Sequence, residues 1–205
     1  DAMPGPNLLV QKTAVSFTTG TRTLTLPAPS TAGSLLVITV GANDISSLTL
    51  PSGWTIAASV LTNGACATAI AYYPNNPGGI TSVILQQPML QPTAAQLSEW
   101  SPITANPLNG TSQTQGGIQA TMQTAMVATI ATKGVAITAF CEDVNNPTYT
   151  PGAGWTTLGT SSNGSAEPSF ISDYKAVTAG GIYTETVTSS VSAKYAAVIA
   201  VFASP

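Results

Sequence analysis

The chain carries one strand series twice. LPSGWTIAASVLTNGACATAIAYYPNNPGGITSVIL, from Leu50, is echoed by TPGAGWTTLGTSSNGSAEPSFISDYKAVTAGGIYTETVT, from Thr150. Trp54 answers Trp155, Asn63-Gly64 answers Asn163-Gly164, Tyr73 answers Tyr174, and Gly78-Gly79-Ile80 answers Gly180-Gly181-Ile182. SLLVITV after Gly33 matches VAITAF after Gly134, and AAQLSEW matches AAVIAVF. The offset stays at roughly 100 residues throughout. A fixed internal period restricts the fold to one that a single unit can build twice.

Each unit reads as short strands divided by turns. RTLTLP alternates around Leu24 and Leu26, the pattern of a half-buried strand. Leu35–Val40 is continuously apolar, as in a strand covered on both faces. A strand from Trp54, the Asn63-Gly64 turn, a strand over Ala67–Tyr73, the Pro77-Gly78-Gly79 turn and strands at Ile80–Leu85 and Ala94–Trp100 complete the set. No segment sustains a 3.6-residue apolar period, and 15 prolines with 18 glycines oppose long helices. The spacing predicts about a dozen strands. The expected fold is all-β: a jelly-roll-like β-sandwich with an internal pseudo-twofold duplication of about 100 residues. Residues 1–10 read as an N-terminal leader and 11–205 as one sandwich domain, with repeats at about 17–101 and 118–203. The stretch near Asn106–Gln115 lacks a charged or Gly/Ser-rich linker, which argues against two separate domains.

Charged residues make up 6% of the chain, and the net charge is −3. One arginine, Arg22, and four lysines cannot build the basic footprint that nucleic acid or an anionic membrane surface needs. Histidine is absent, so His-dependent triads and His-ligated metal centres are excluded. A non-enzymatic protein without cofactor is the expectation. Thirty-one threonines and 20 serines take the place of charge, wetting strand faces with hydroxyls that neither titrate nor screen. The longest apolar runs, Leu35–Val40 and Ala196–Ala203, are far shorter than the roughly 20 residues of a membrane-spanning helix. A start at Asp1 rather than Met fits a processed, secreted chain.

TAGSLLVITVG, SGWT, YYPNNPGGITSVIL and LSEWSPITANPLNGTSQTQG together resemble a β-sandwich domain family of secreted bacterial and archaeal surface proteins. The likeness spans roughly residues 8–203 and rests on turns, a Gly-Trp corner and alternating strands. It implies an extracellular or cell-surface location and a binding or scaffolding role, and names no ligand.

Several residues are candidates for function. Trp54, Tyr72 and Trp155 have the aromatic faces that carbohydrate-binding sandwiches use for stacking. Equal positions in the two repeats make Trp54 and Trp155 candidates for shared packing as well, whereas Tyr72 aligns with Asp173. Asp44, Glu142 and Asp143 follow equivalent strands and would offer oxygens to Ca²⁺ if they met, or stand apart as solvated loop acids. Glu99, in an apolar strand, would pair with Lys175 or Lys194, or donate to a backbone group when protonated. Asn109 and Asn163 begin glycosylation sequons expected in loops. Cys66 and Cys141 would pair in an oxidising compartment, or serve separately as small buried hydrophobes. Leu8, Leu9 and Val10 either start the domain's own sheet or enter the sheet edge of a neighbouring copy as a donor strand. The leading expectation is a subunit of a surface filament, fibre or layer, with copies of itself as partner. A glycan-binding module is the alternative, and a viral capsid or decoration protein a third.

Overall fold

The computed structural model describes residues 8–61, 66–87, 92–161 and 168–205. Its first half forms β1 (Leu9–Lys12), β2 (Ser16–Thr19), β3 (Arg22–Thr25), β4 (Leu35–Ala42), β5 (Thr55–Leu61), β6 (Ala67–Tyr73), β7 (Ser82–Leu85) and β8 (Pro92–Trp100). The second half forms β9 (Leu108–Gln123), β10 (Val127–Thr129), β11 (Gly134–Glu142), β12 (Tyr149–Thr150), β13 (Thr156–Ser161), β14 (Ser169–Val177), β15 (Gly181–Tyr183) and β16 (Thr186–Ala203). No helix occurs among the described residues. The fold is all-β, and the duplication is visible in it.

Each half makes its own sheet. The first runs β1-β8-β4-β6-β5, with β2 beside β1 along β8; the second runs β12-β16-β11-β14-β13, with β9 along the free side of β16. The halves use equivalent strands in equivalent order: β4 answers β11, β6 answers β14, β5 answers β13 and β8 answers β16. All pairings within the two sheets are antiparallel. The sixteen strands of the described residues exceed the expected dozen by β1, β2, β9 and β12; β9 is concealed in SQTQGGIQATMQ, whose polar residues hide the period of a strand.

Central strands are buried on both faces, as their unbroken apolar runs require. Leu35 and Val37 of β4 face the other sheet, while Leu36, Ile38 and Val40 face outward into a second apolar layer. The inner core joins Leu8, Leu35, Val37, Ile70 and Trp100 to Val135, Ile137, Phe170, Val198 and Phe202. Gly41 marks a close approach of the sheets: a Cβ there would lie 2.6 Å from Cδ2 of Phe170. On each outer face lies a two-stranded ribbon, β3–β7 over the first sheet and β10–β15 over the second. Leu24, Leu26, Val83 and Leu85 press the first ribbon onto β4 and β8, and Val127 with Tyr183 presses the second. The molecule is thus four layers deep.

Register corrects one detail of the repeat. Val37 lies opposite Tyr72 and Ile137 opposite Tyr174, all four on the inner face. Leu36 lies opposite Tyr73, and Ala136 opposite Lys175. Tyr72 therefore answers Tyr174, and Tyr73 answers Lys175. Alignment of Tyr73 with Tyr174 is out by one residue, which in a strand exchanges the two faces. Tyr72 is not a position where the repeats differ.

The N-terminal strand lies in the chain's own first sheet. Leu8 is buried in the inner core, Leu9 packs against it, and Val10 is about half exposed. Gln11 fastens the strand: its Nε2 donates to Glu99 Oε2 at 2.5 Å and to Ala28 O at 3.0 Å, and its Oε1 accepts from Ala28 N at 2.9 Å.

Candidate functional site

Two opposite surfaces break the pseudo-symmetry. On the first half the segment LPSGWT turns a tight corner, with Trp54 N donating to Pro51 O. Gly53 has φ +88°, and a Cβ there would lie 2.8 Å from Tyr73 Cε2, so the corner requires glycine twice over. The Tyr73 ring seats beside Trp54, with centroids 5.9 Å apart and planes tilted by 37°. Trp54 is only partly buried. Together with Pro51, Ser52, Ile80 and Ile84 these rings line an open groove of about 330 Å³. Beyond Ile84 a second depression of about 190 Å³ continues between Leu50 and Gln86.

The equivalent corner of the second half is closed. Trp155 is 8% exposed, packed among Val127, Ala136 and Val201, and Lys175 Nζ stands 5.9 Å from its ring centroid. Trp155 therefore offers no open stacking face. Tyr72 is half-buried, its ring packed on Phe202 between the sheets at 5.4 Å. Of the three aromatic candidates Trp54 borders this groove, and its partner there is Tyr73.

What the second half exposes is a ridge. In the β10–β15 ribbon Ala128 lies opposite Ile182, and Met126 and Ile130 flank Ala128 on the same face. Met126 is 69% exposed, Ile130 87% and Ile182 67%. In the first ribbon Thr23 lies opposite Ile84 and Thr25 opposite Ser82, so hydroxyls occupy most of that outer face. The alternation of TAMVATI and GGIY signals the ridge in sequence, since one set of apolar residues must point outward.

The remaining candidates scatter. Asp44 accepts from Ser46 N at 2.7 Å and Ser46 Oγ at 2.9 Å, closing its own loop. Glu142 is buried in β11 beneath Ser189 Oγ, 2.8 Å away, and Asp143 follows it with its backbone N bound to Lys194 O. Among the described residues no group of three His, Cys, Asp or Glu forms a cation cage. Glu99 meets neither Lys175 nor Lys194. Its carboxylate accepts from Gln11, from Thr31 N at 2.6 Å and from Ser34 Oγ at 2.7 Å. Burial works to raise its pKa, and these donors outweigh burial and hold it below the usual carboxylate range.

Asn109 lies within β9 rather than in a loop, and its Oδ1 accepts from Thr129 Oγ1, Ile130 N and Ala131 N. Asn163 and the Asn63-Gly64 and Asn163-Gly164 turns lie outside the described residues. Cys66 and Cys141 are buried and adjacent between the sheets, with Cys66 Sγ 3.1 Å from Cys141 O. Burial, reinforced by the neighbouring Cys66, pushes the Cys141 thiol well up.

Sequence reading missed one buried cluster. Asp173 and Glu185 are almost fully buried on the outer face of the second sheet, and Thr138 Oγ1 donates to Glu185. Burial raises both pKa values, that of Glu185 to about 9 with the help of the Asp173 charge. The cluster divides the outer apolar layer into a part around Trp155 and a part around Phe140 and Tyr195. The first half places Ile38 on the face equivalent to Thr138.

No family model, curated protein or solved structure matches the chain. What stands is the duplicated, two-sheet all-β fold.

Proposed function

We propose that the protein is a non-enzymatic structural or adhesive subunit, exposed outside the cell, that associates with copies of itself. The observation that carries this reading is the Met126–Ala128–Ile130–Ile182 ridge, where three large apolar side chains, each more than two-thirds exposed, cluster on one ribbon of a chain with little charge. A protein with so little charge gains little solubility from electrostatic repulsion. Exposed apolar strips of this kind mark contact surfaces. Surface display accords with the resemblance to secreted sandwich domains, and a scaffold that needs no titrating surface group suits a changeable exterior. Sedimentation velocity tests the reading: the weight-average mass should rise with concentration. A strictly monomeric protein at about 100 μM, where an interface with a micromolar Kd would be nearly saturated, overturns it.

A second reading, glycan binding, is favoured by the Trp54–Tyr73 groove. An open indole beside a second ring is a stacking platform for a sugar face. Titration of neutral oligosaccharides against tryptophan fluorescence tests it, with loss of the signal in Trp54→Ala as the expected control.

A further inference from the structure

We infer that Cys66 and Cys141 join in a disulfide that staples the two sheets to each other. The inference is independent of the self-association proposed above. Cys66 immediately precedes β6 of the first sheet, and Cys141 lies in β11 of the second. Both belong to the inner core, and both are fully buried. They are thiols in this structure.

Each sulfur rests on the main chain that carries the other. Cys66 Sγ donates to Cys141 O at 3.1 Å. Cys141 Sγ donates to Ala42 O at 3.5 Å and accepts from the N–H of Ala67, the residue after Cys66 and the pairing partner of Ala42. The two side chains lie within hydrogen-bonding reach of each other. Side chains that already face each other across the gap can close to the roughly 2.05 Å of a disulfide with little movement of the strands. A metal site is a poorer account of the pair, because among the described residues no third His, Cys, Asp or Glu joins them.

The duplication supplies an internal control. Ala42 pairs with Ala67 and Glu142 with Ser169 at the same end of the two sheets. Gly41 therefore answers Cys141, and Pro168 answers Cys66. The equivalent crossing of the sheets is made without sulfur, by Gly41 against Phe170. Shared packing thus does not account for two thiols at this place.

Thiol–disulfide exchange with an oxidant such as glutathione disulfide forms the bond. One cysteine thiolate attacks the oxidant, giving a mixed disulfide and releasing one glutathione thiolate. The other cysteine then displaces the second glutathione, so two thiol protons are lost and two electrons leave with the glutathione. Burial keeps the Cys141 thiol protonated once the chain has folded, and solvent reaches neither sulfur. The bond therefore forms before the sheets close, and folding then shields it. It links residues 75 positions apart, and so restricts the unfolded chain over a long loop.

Refolding of the full chain tests this. Protein unfolded in guanidinium with reductant is refolded either in a glutathione redox buffer or in reductant, then unfolded again in iodoacetamide. The glutathione-refolded protein should take up no carbamidomethyl group and be lighter than the thiol form by two hydrogens. Its digest should contain a peptide pair linking Cys66 to Cys141. The bond should raise the melting temperature by roughly 5 °C or more and resist reductant until the protein is unfolded. Cys66→Ser should melt at the same temperature from either buffer. Two alkylated cysteines after glutathione refolding, a link between separate copies, or a bonded form that melts below the thiol form would each overturn the inference.

Discussion

Asn109 shows how one side chain replaces a network. In the first half the ribbon connection is held by Asn76, whose Oδ1 accepts from Ser30 Oγ and Gly78 N and whose Nδ2 donates to Ser34 O. In the second half the Asn109 carboxamide oxygen receives Thr129 Oγ1 and two backbone N–H groups, one of which, Ala131 N, is shared with Thr129 Oγ1. Asn109→Ala should destabilise the fold by about 1 kcal/mol, through loss of these hydrogen bonds. Chemical denaturation checks this, and an unchanged midpoint would show those donors satisfied elsewhere. The buried acids set the pH response. Burial pushes Glu142 up to about 7 and Glu185 up to about 9, against an ordinary 4.5. The folded state therefore holds protons that the unfolded chain releases, so this stability is complete below about pH 4.5. It is lost as pH rises to about 7 for Glu142 and about 9 for Glu185. Glu99, held low, acts oppositely: its contribution is present above pH 4.5 and lost as pH falls through its folded value. The melting temperature should fall from pH 5 to pH 9, and Glu185→Gln should flatten the alkaline part of that fall. A flat or rising profile in the parent contradicts the burial of these acids.

Among the elements, β1 is held by little local structure and much tertiary contact. Three of its four residues pair with Trp100, Glu99 and Ser98 of β8, and the irregularity between Leu9 and Gln11 leaves Val10 out of the register. Gln11 and Lys12 then fasten it to neighbours distant in sequence, Lys12 Nζ reaching Leu158 O of β13 in the other sheet. Removal of residues 1–12 should uncover Leu35 and Trp100 and lower the melting temperature, which differential scanning calorimetry measures. A synthetic peptide of residues 8–12 should restore it, because the vacated edge keeps its hydrogen-bonding groups and its apolar slot. That rescue is also the elementary step of strand donation between copies. Failure of the peptide to bind would restrict β1 to its own chain. Lys12 and Gln96 on one side, and Gln115 donating to Leu61 O on the other, bridge the two sheets along both flanks.

For the molecule as a whole, the scarcity of charge predicts how association responds to solvent. Self-association through the uncharged ridge residues should be nearly insensitive to sodium chloride and strengthened by sulfate, which is excluded from the protein surface. Sedimentation at low and high salt checks this, and dissociation by sodium chloride would place ion pairs at the contact instead. The all-β class, the duplication and the doubly buried central strands were legible in the sequence, because alternation, continuous apolar runs and a fixed offset are local or periodic properties of a chain. Trp54 was legible as a candidate for the same reason, being a corner residue in a repeated motif. Its fate was not. Whether a repeated tryptophan lies open beside Tyr73 or closed under Lys175 depends on which face of β6 or β14 each neighbour occupies, and a one-residue ambiguity in alignment exchanges those faces. β9 was hidden because a polar edge strand has no apolar period, and the Asp173–Glu185 pair because nothing in TETV or ISDY indicates that two carboxyls distant in sequence share one buried layer. Local pattern decides what a segment becomes. Only packing decides which of its faces water still reaches.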